Sequence, residues 1–172
     1  MGRLERYSFI GKLSIGVAIF YALYLFLFNG IDDLIYYDTF TRAFLLLVFG
    51  GKSLAEYHIF NELEDHLSLK YGYKGFGQNI YYFVIFNFLA NGIIFLWATD
   101  FGSLLHYLFL LISEIFKIII GIKIMKNVKE NNMFLAGLSL LISSLFIIGT
   151  LSSIVFYSFL AIIFRKASKK NC

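Results

Sequence analysis

The sequence contains no proline, and its only cysteine is Cys172. Without proline, a bend in any helix must come from glycine or from a polar group that interrupts the backbone hydrogen bonds. A single cysteine excludes a disulfide within the chain and excludes motifs that need paired cysteines. Charged residues are also scarce, at 15% of the chain against about 25% in an average soluble domain.

Several catalytic signatures are missing as well. The chain has no G-K-[ST] phosphate-binding loop, no H-E-x-x-H metal pair and no order of Ser, His and Asp that suits nucleophilic catalysis. We therefore expect no cofactor, and an enzyme is less expected than a binding or structural protein. The net charge is +4, but the basic residues flank apolar runs rather than forming one folded face, so no nucleic-acid partner is expected.

Apolar residues are present in excess. They make up 59% of the chain, aromatic residues account for 20%, and the mean hydropathy is +0.76. An average soluble domain is about 45–50% apolar. Because the surplus needs lipid as solvent, the composition predicts one integral membrane domain over residues 1–172. Its partners are the lipid bilayer and, in one interpretation, other membrane subunits.

The apolar runs predict an all-α bundle of transmembrane helices. A span needs about 20 mostly apolar residues to cross a hydrocarbon core of about 30 Å. Short polar links separate the runs, and some of the runs are shorter than this length. The predicted spans are residues 13–29, 41–60, 80–98, 101–122, 133–148 and 151–164.

The last apolar stretch, Met133–Phe164, decides the number of spans. As one helix its 32 residues would extend about 48 Å, far beyond the bilayer core. A short hairpin that turns near Gly149–Ser153 returns the C-terminal tail to the side of the N-terminus. Twelve of the fifteen Lys and Arg residues then lie on that side, in agreement with the positive-inside rule. The prediction is six spans in the plasma membrane with both termini cytoplasmic.

Two ionisable pairs fall inside predicted spans, where charge is costly and usually faces the bundle interior. Lys52 and Glu56 are four residues apart, on one helix face. Glu114 and Lys117 are three apart, again on one face. In one interpretation each pair neutralises itself and stabilises the bundle. In the other, the pairs line a substrate or ion path. The Gly50–Gly51 dipeptide before Lys52 is the best candidate for a helix break beside such a path.

Small and amide side chains mark candidate packing faces. Asn87 and Asn91 are four residues apart in the third span, next to Gly92. Amide hydrogen bonds between helices, beside a glycine that permits close packing, explain this arrangement without a ligand. The alternative is that both amides line the polar path. In the first span, Ala18 and Ala22 form a small-xxx-small pair that permits close helix approach.

His58, Glu62 and His66 recur every four residues at the inner end of the second span. They share one face of a helix that continues past the membrane, and zinc accepts His and Glu at this spacing. All three cover about 12 Å along the axis, so one ion reaches at most two of them. A solvated helical extension is the simpler interpretation.

These patterns leave three hypotheses for function. The leading one is a small transport-related or substrate-binding membrane module, whose polar interior is lined by Lys52, Glu56, Asn87, Asn91 and Glu114, with Lys117 as a further candidate. The alternative is a structural or assembly subunit without a ligand, in which the polar groups pair with one another. The third is a membrane enzyme with a metal on the face of His58, Glu62 and His66.

Overall fold

The computed structural model describes residues 2–27, 39–72, 75, 77–96, 100–128, 130–144 and 149–169. In these ranges the chain forms six helices and no strand, which confirms the all-α prediction. Each predicted span overlaps a different helix. The helices are α1 (Arg3–Leu27), α2 (Thr39–Tyr71), α3 (Gly77–Leu96), α4 (Asp100–Asn127), α5 (Asn131–Ile142) and α6 (Gly149–Lys169).

Three of the helices in the described ranges, α1, α2 and α6, are long and apolar enough to cross a membrane. Large apolar side chains also lie on the outer faces of the bundle, where Ile19 is 54% exposed, Leu47 76% and Leu104 64%. Exposed apolar surface of this extent marks a contact with lipid or protein rather than with water. Both features are typical of a membrane protein, as the composition predicts.

The six helices form a closed ring in sequence order. Each helix packs against its neighbours along the chain, and α6 packs against α1, the most extensive contact in the bundle. An ion pair between Arg6 and Glu62 (3.7 Å), and another between Lys70 and Glu130, join helix ends on one side of the ring. We call this side, which also carries Lys166, the basic end.

An apolar core fills the half of the ring nearer the basic end. Its largest fully buried side chains come from five of the helices, α2 to α6, and interlock by aromatic contacts such as that between Phe60 and Phe156, whose ring centroids are 5.5 Å apart. Phe60 also meets Phe83 of α3 at 5.3 Å. These side chains form an apolar plug between the basic end and the other half of the ring.

α5 is short and packs unusually close to α4. It has 12 residues, about 18 Å, which is less than the hydrocarbon core. A Cβ atom added at Gly121 of α4 would lie 3.0 Å from the carbonyl oxygen of Gly137 in α5, and one added at Gly137 would lie 3.1 Å from that of Gly121. The two glycines therefore let the helix backbones touch.

Two details differ from the sequence-based expectations. α6 begins at Gly149, so the predicted turn at Gly149–Ser153 falls inside a helix. α5 ends earlier, at Ile142, and a turn follows at Ser143 and Ser144; residues 145–148 lie outside the described residues. α2 continues without a break through Gly50–Gly51. An unbroken α2 is possible because glycine lowers helix propensity by only about 1 kcal/mol, which tertiary packing outweighs.

Because α4 and α5 are in close contact, a methyl group added at Gly121 should destabilise the fold. Gly121→Ala should lower the free energy of unfolding by about 1–3 kcal/mol, because the new Cβ meets backbone atoms that cannot rotate away. Gly16→Ala is the matched control, since nothing lies within 4 Å of its Cβ position and alanine favours the helix by about 0.5–1 kcal/mol. Thermal unfolding in detergent measures both. Equal effects of the two substitutions would contradict the close contact.

Candidate functional site

A polar cavity of about 250 Å³ lies inside the ring, on the far side of the apolar plug from the basic end. All the described helices except α5 contribute helical residues to its wall, and the turn after α5 contributes the rest. The wall is formed by Phe20, Tyr21, Tyr24, Phe49, Lys52, Asn87, Asn91, Leu110, Glu114, Lys117, Ser143, Ser144, Thr150 and Ser153. We call this space the central cavity.

α2 supplies a buried ion pair and the most deeply buried carboxylate of the site. Glu56 is fully buried and Lys52 is 8% exposed. The Lys52 ammonium lies 3.3 Å from Glu56 Oε2, one helical turn away, and 5.0 Å from the centre of the Tyr21 ring. A lysine over an aromatic face gains further electrostatic stabilisation. The i, i+4 spacing read from the sequence thus corresponds to a real ion pair.

Glu56 also joins α2 to α1 and α6. Its Oε1 atom accepts hydrogen bonds from the hydroxyl groups of Tyr21 (2.9 Å) and Tyr157 (2.7 Å). The two tyrosine rings stack on each other with centroids 5.8 Å apart. Hydrogen bonds to a charged acceptor are worth about 1.5–3 kcal/mol each. Through these two bonds the carboxylate of Glu56 connects α2 with α1 and α6.

The amide side chains of α3 extend this network. Lys52 donates to Asn87 Oδ1 at 3.2 Å, which links α2 to α3. Asn91 donates to the Asn87 carbonyl oxygen at 2.7 Å and to its Oδ1 at 3.2 Å. Of the two amides, Asn87 accepts a hydrogen bond from another helix, whereas Asn91 bonds within its own helix. Both amides line the cavity.

α4 supplies the second ion pair. Lys117 Nζ lies 2.7 Å from Glu114 Oε2, and both side chains face the central cavity. Lys117 also donates to the carbonyl oxygen of Ser143 at 3.5 Å. Ser143 caps the C-terminus of α5, where the helix dipole is negative and favours a cation.

The turn after α5 lies deep inside the ring. Lys117, which it contacts, is about 25 Å along the axis from Asp100, where α4 begins. α5 therefore stops well short of the outer end of α4. Ser143 and Ser144, which are not helical, face the central cavity. Non-helical backbone at membrane depth is tolerated where it lines a polar cavity.

The cavity presents both signs of charge within a small volume. Lys52 and Lys117 face it as cations, Glu114 faces it as an anion, and Glu56 lies directly behind Lys52. Hydroxyl and amide groups complete the wall. Such a lining can both donate and accept hydrogen bonds, and its three charges sum to zero once Glu56 behind it is included.

The candidate packing residues lie outside this cavity. Ala18 and Ala22 line a shallow groove between α1 and α6, so they face a helix neighbour as the small-xxx-small spacing favours. A Cβ added at Gly92 would lie 4.0 Å from the Leu46 side chain of α2, an ordinary contact. A close approach of α1 to α6 occurs at Gly11, where an added Cβ would lie 3.6 Å from the α6 backbone.

The structure does not bring His58, Glu62 and His66 together as ligands. His58 is exposed, Glu62 pairs with Arg6, and His66 is buried with its Nδ1 atom 3.3 Å from the Tyr7 hydroxyl. No group of three His, Cys, Asp or Glu side chains suited to a metal ion occurs in the described part of the chain. The helix does extend past Phe60, but one of its faces is packed rather than solvated.

Sequence reasoning missed the contributions of Tyr21, Tyr157 and Ser143. In its local sequence, each is an ordinary aromatic or small residue of a predicted span. Their partners, Glu56 and Lys117, are 26 to 101 residues away in the chain. The one available signal was that a lone buried carboxylate needs more donors than a single lysine supplies.

No protein-family model, no curated protein and no solved structure matches this chain.

Removing only the lysine of the buried Lys52–Glu56 ion pair should lower the free energy of unfolding more than neutralising both residues. Lys52→Met leaves Glu56 without its cation and should lower the free energy of unfolding by about 3–5 kcal/mol. The double variant Lys52→Met/Glu56→Gln should recover most of that loss. Lys12→Met, at an exposed lysine of α1, is the control and should change stability by less than about 0.5 kcal/mol. Chemical denaturation in detergent gives all the values. Additive losses in the double variant would contradict the coupling.

Proposed function

We propose that this chain is a multi-pass protein of the cell membrane whose central cavity binds a small polar solute, as a transport-related or substrate-binding module. The observation that carries the proposal is the convergence of two ion pairs and two asparagines on one cavity within an apolar ring. Ionisable groups at membrane depth are costly, and they commonly mark substrate or ion pathways.

The proposed orientation places the basic end and both termini in the cytoplasm. α1 begins at the basic end and α6 finishes there, so the termini share a side whether or not α5 crosses completely. The positive-inside rule assigns that side to the cytoplasm. In this topology the chain crosses the bilayer six times, as the sequence predicts, and the helical part of the fifth crossing, α5, begins at the basic end and ends at the cavity.

The size of the cavity limits the solute. The central cavity has a volume of about 250 Å³. Sites for drug-sized ligands are generally about 300–1,000 Å³. The size therefore favours a small solute over a lipid or a large cofactor.

The charges favour a solute with both donors and acceptors. Lys52 on α2 and Glu114 on α4 offer opposite charges from different walls. A zwitterion or a strongly dipolar neutral molecule satisfies both, whereas a simple ion meets one attractive and one repulsive wall. A small zwitterionic or dipolar solute is the proposed substrate class.

A structural or assembly subunit is the competing hypothesis. In favour of it, the buried groups already pair with one another: Glu56 has two tyrosine donors and a lysine, and Lys117 has Glu114. This hypothesis predicts that the central cavity is sealed and that no solute enters it.

Thiol labelling distinguishes an accessible cavity from a sealed one. In a Cys172→Ser background, Thr150→Cys or Ser144→Cys places a thiol on the cavity wall. Ser113→Cys is the matched control, since Ser113 is fully buried and bonded to the Phe83 carbonyl oxygen away from that wall. In proteoliposomes, a small water-soluble methanethiosulfonate should label the cavity thiols at least about tenfold faster than the control. Equal, slow labelling at all three positions would favour the structural subunit.

Solute retention tests the binding itself. Purified protein equilibrated with a polar metabolite extract should retain a small solute, detectable by mass spectrometry after denaturation. Lys52→Gln and Glu114→Gln should each lose that solute, because each removes one of the two opposed charges. Arg42→Gln, at a residue that does not line the cavity, should keep it. Identical retention by the wild type and both cavity variants would refute the proposed site.

A further inference from the structure

A second cavity, of about 780 Å³, lies at the basic end, on the opposite side of the apolar plug from the central cavity. It is open to the surface and plays no part in the proposed solute site. We call it the basic cavity. Its wall is formed by Arg3, Tyr7, His66, Leu69, Lys70, Glu130, Asn131, Asn132, Ile163, Lys166 and Ala167.

Three helices each contribute a cation to this wall. Arg3 comes from α1, Lys70 from α2 and Lys166 from α6. Lys70 forms an ion pair with Glu130, the one acidic residue of the wall. Arg3 and Lys166 have no ion pair with any described residue. Two basic side chains from adjacent helices, neither within ion-pair distance of a described acid, therefore face one concave space.

The N-terminus of α5 adds further positive potential. Glu130 is the N-cap, with an extended backbone, but its side chain makes no capping hydrogen bond. The backbone amides of Asn131 and Asn132 belong to the first turn, where amides have no partner within the helix. Both residues line the basic cavity. Amides and dipole together favour an anion at this position.

The floor of the cavity is buried and partly polar. Tyr7 and His66 are both more than nine-tenths buried, with the Tyr7 hydroxyl 3.3 Å from His66 Nδ1. Ile163 of α6 lies beside them. A ligand that enters between Arg3 and Lys166 would therefore meet hydrogen-bonding groups below and charges at the rim.

We propose that the basic cavity binds the phosphate group of an anionic ligand, with Arg3, Lys166 and the first amides of α5 as its contacts. The two sources of this chemistry are the headgroup of an anionic membrane lipid and a free phosphorylated solute. The lipid source rests on the cytoplasmic orientation proposed above, because anionic lipids are concentrated in that leaflet. The site is independent of the central cavity.

Binding is measured on the full-length protein in neutral detergent, by thermal shift with soluble probes. The probes are dihexanoyl phosphatidylglycerol, dihexanoyl phosphatidylcholine and inorganic phosphate. Phosphatidylglycerol should stabilise the wild type and phosphatidylcholine should not. If inorganic phosphate competes with phosphatidylglycerol, the site accepts free phosphate; if only phosphatidylglycerol binds, it is a lipid headgroup site. If neither anion binds, the proposal is wrong.

Matched variants assign the effect to this cavity. Arg3→Gln/Lys166→Gln should weaken phosphatidylglycerol binding at least about tenfold, since each basic side chain near a membrane surface contributes about 1 kcal/mol. Lys12→Gln/Lys126→Gln removes the same charge from exposed lysines outside the wall, and it should change binding less than about twofold. Equal weakening by the two pairs would reduce the effect to general surface charge and overturn the proposal.

A third variant separates binding from folding. Asn131→Asp places an acid in the first turn of α5, which helix electrostatics favour, while the new charge repels an anion in the cavity. We expect unchanged or higher thermal stability without ligand, together with at least about fivefold weaker binding of phosphatidylglycerol. Unchanged binding by this variant would exclude the N-terminus of α5 from the site.

Discussion

A charged side chain inside an apolar ring must find its partners within the protein, because lipid and a dry interior supply none. Glu56 is the residue at which this constraint is strongest. It is fully buried, and its donors come from α1 and α6 while its cation comes from its own helix. The carboxylate thereby connects the first, second and last helices, the place where the ring closes. Removing its partners would leave an uncompensated charge in the middle of the bundle.

The division of the ring into an apolar half and a polar half follows from the same constraint. Side chains such as Phe60, Phe83 and Phe156 pack without polar atoms and close the half near the basic end. The polar groups are collected in the other half, where each can reach a neighbour across the central cavity. Because α5 is short, its C-cap residue Ser143 lies beside Lys117 inside the ring. The carbonyl oxygen of Ser143 is therefore a further polar partner for Lys117.

Several features of the site could be predicted from local spacing. Lys52 with Glu56, and Glu114 with Lys117, are ion pairs because residues three or four apart on a helix are neighbours wherever the helix lies. The position of the hairpin break could not be predicted well, since the stretch after Ile142 is as apolar as the helices beside it. The close contact of α4 with α5 was also invisible, because single glycines at 121 and 137 carry no periodic signal.

The sequence by itself determined that the chain is helical, that its apolar runs correspond to six separate helices, and that charges pair within α2 and within α4. These properties depend on apolar run length and on helical periodicity, which are local. Only the tertiary structure decided that the two ion pairs face the same cavity, that Tyr21 and Tyr157 hold one carboxylate, and that Arg3 and Lys166 share a wall with the start of α5. These groups are far apart in the chain, and the rotation of each helix about its axis, which sets what it faces, is fixed by packing against its neighbours.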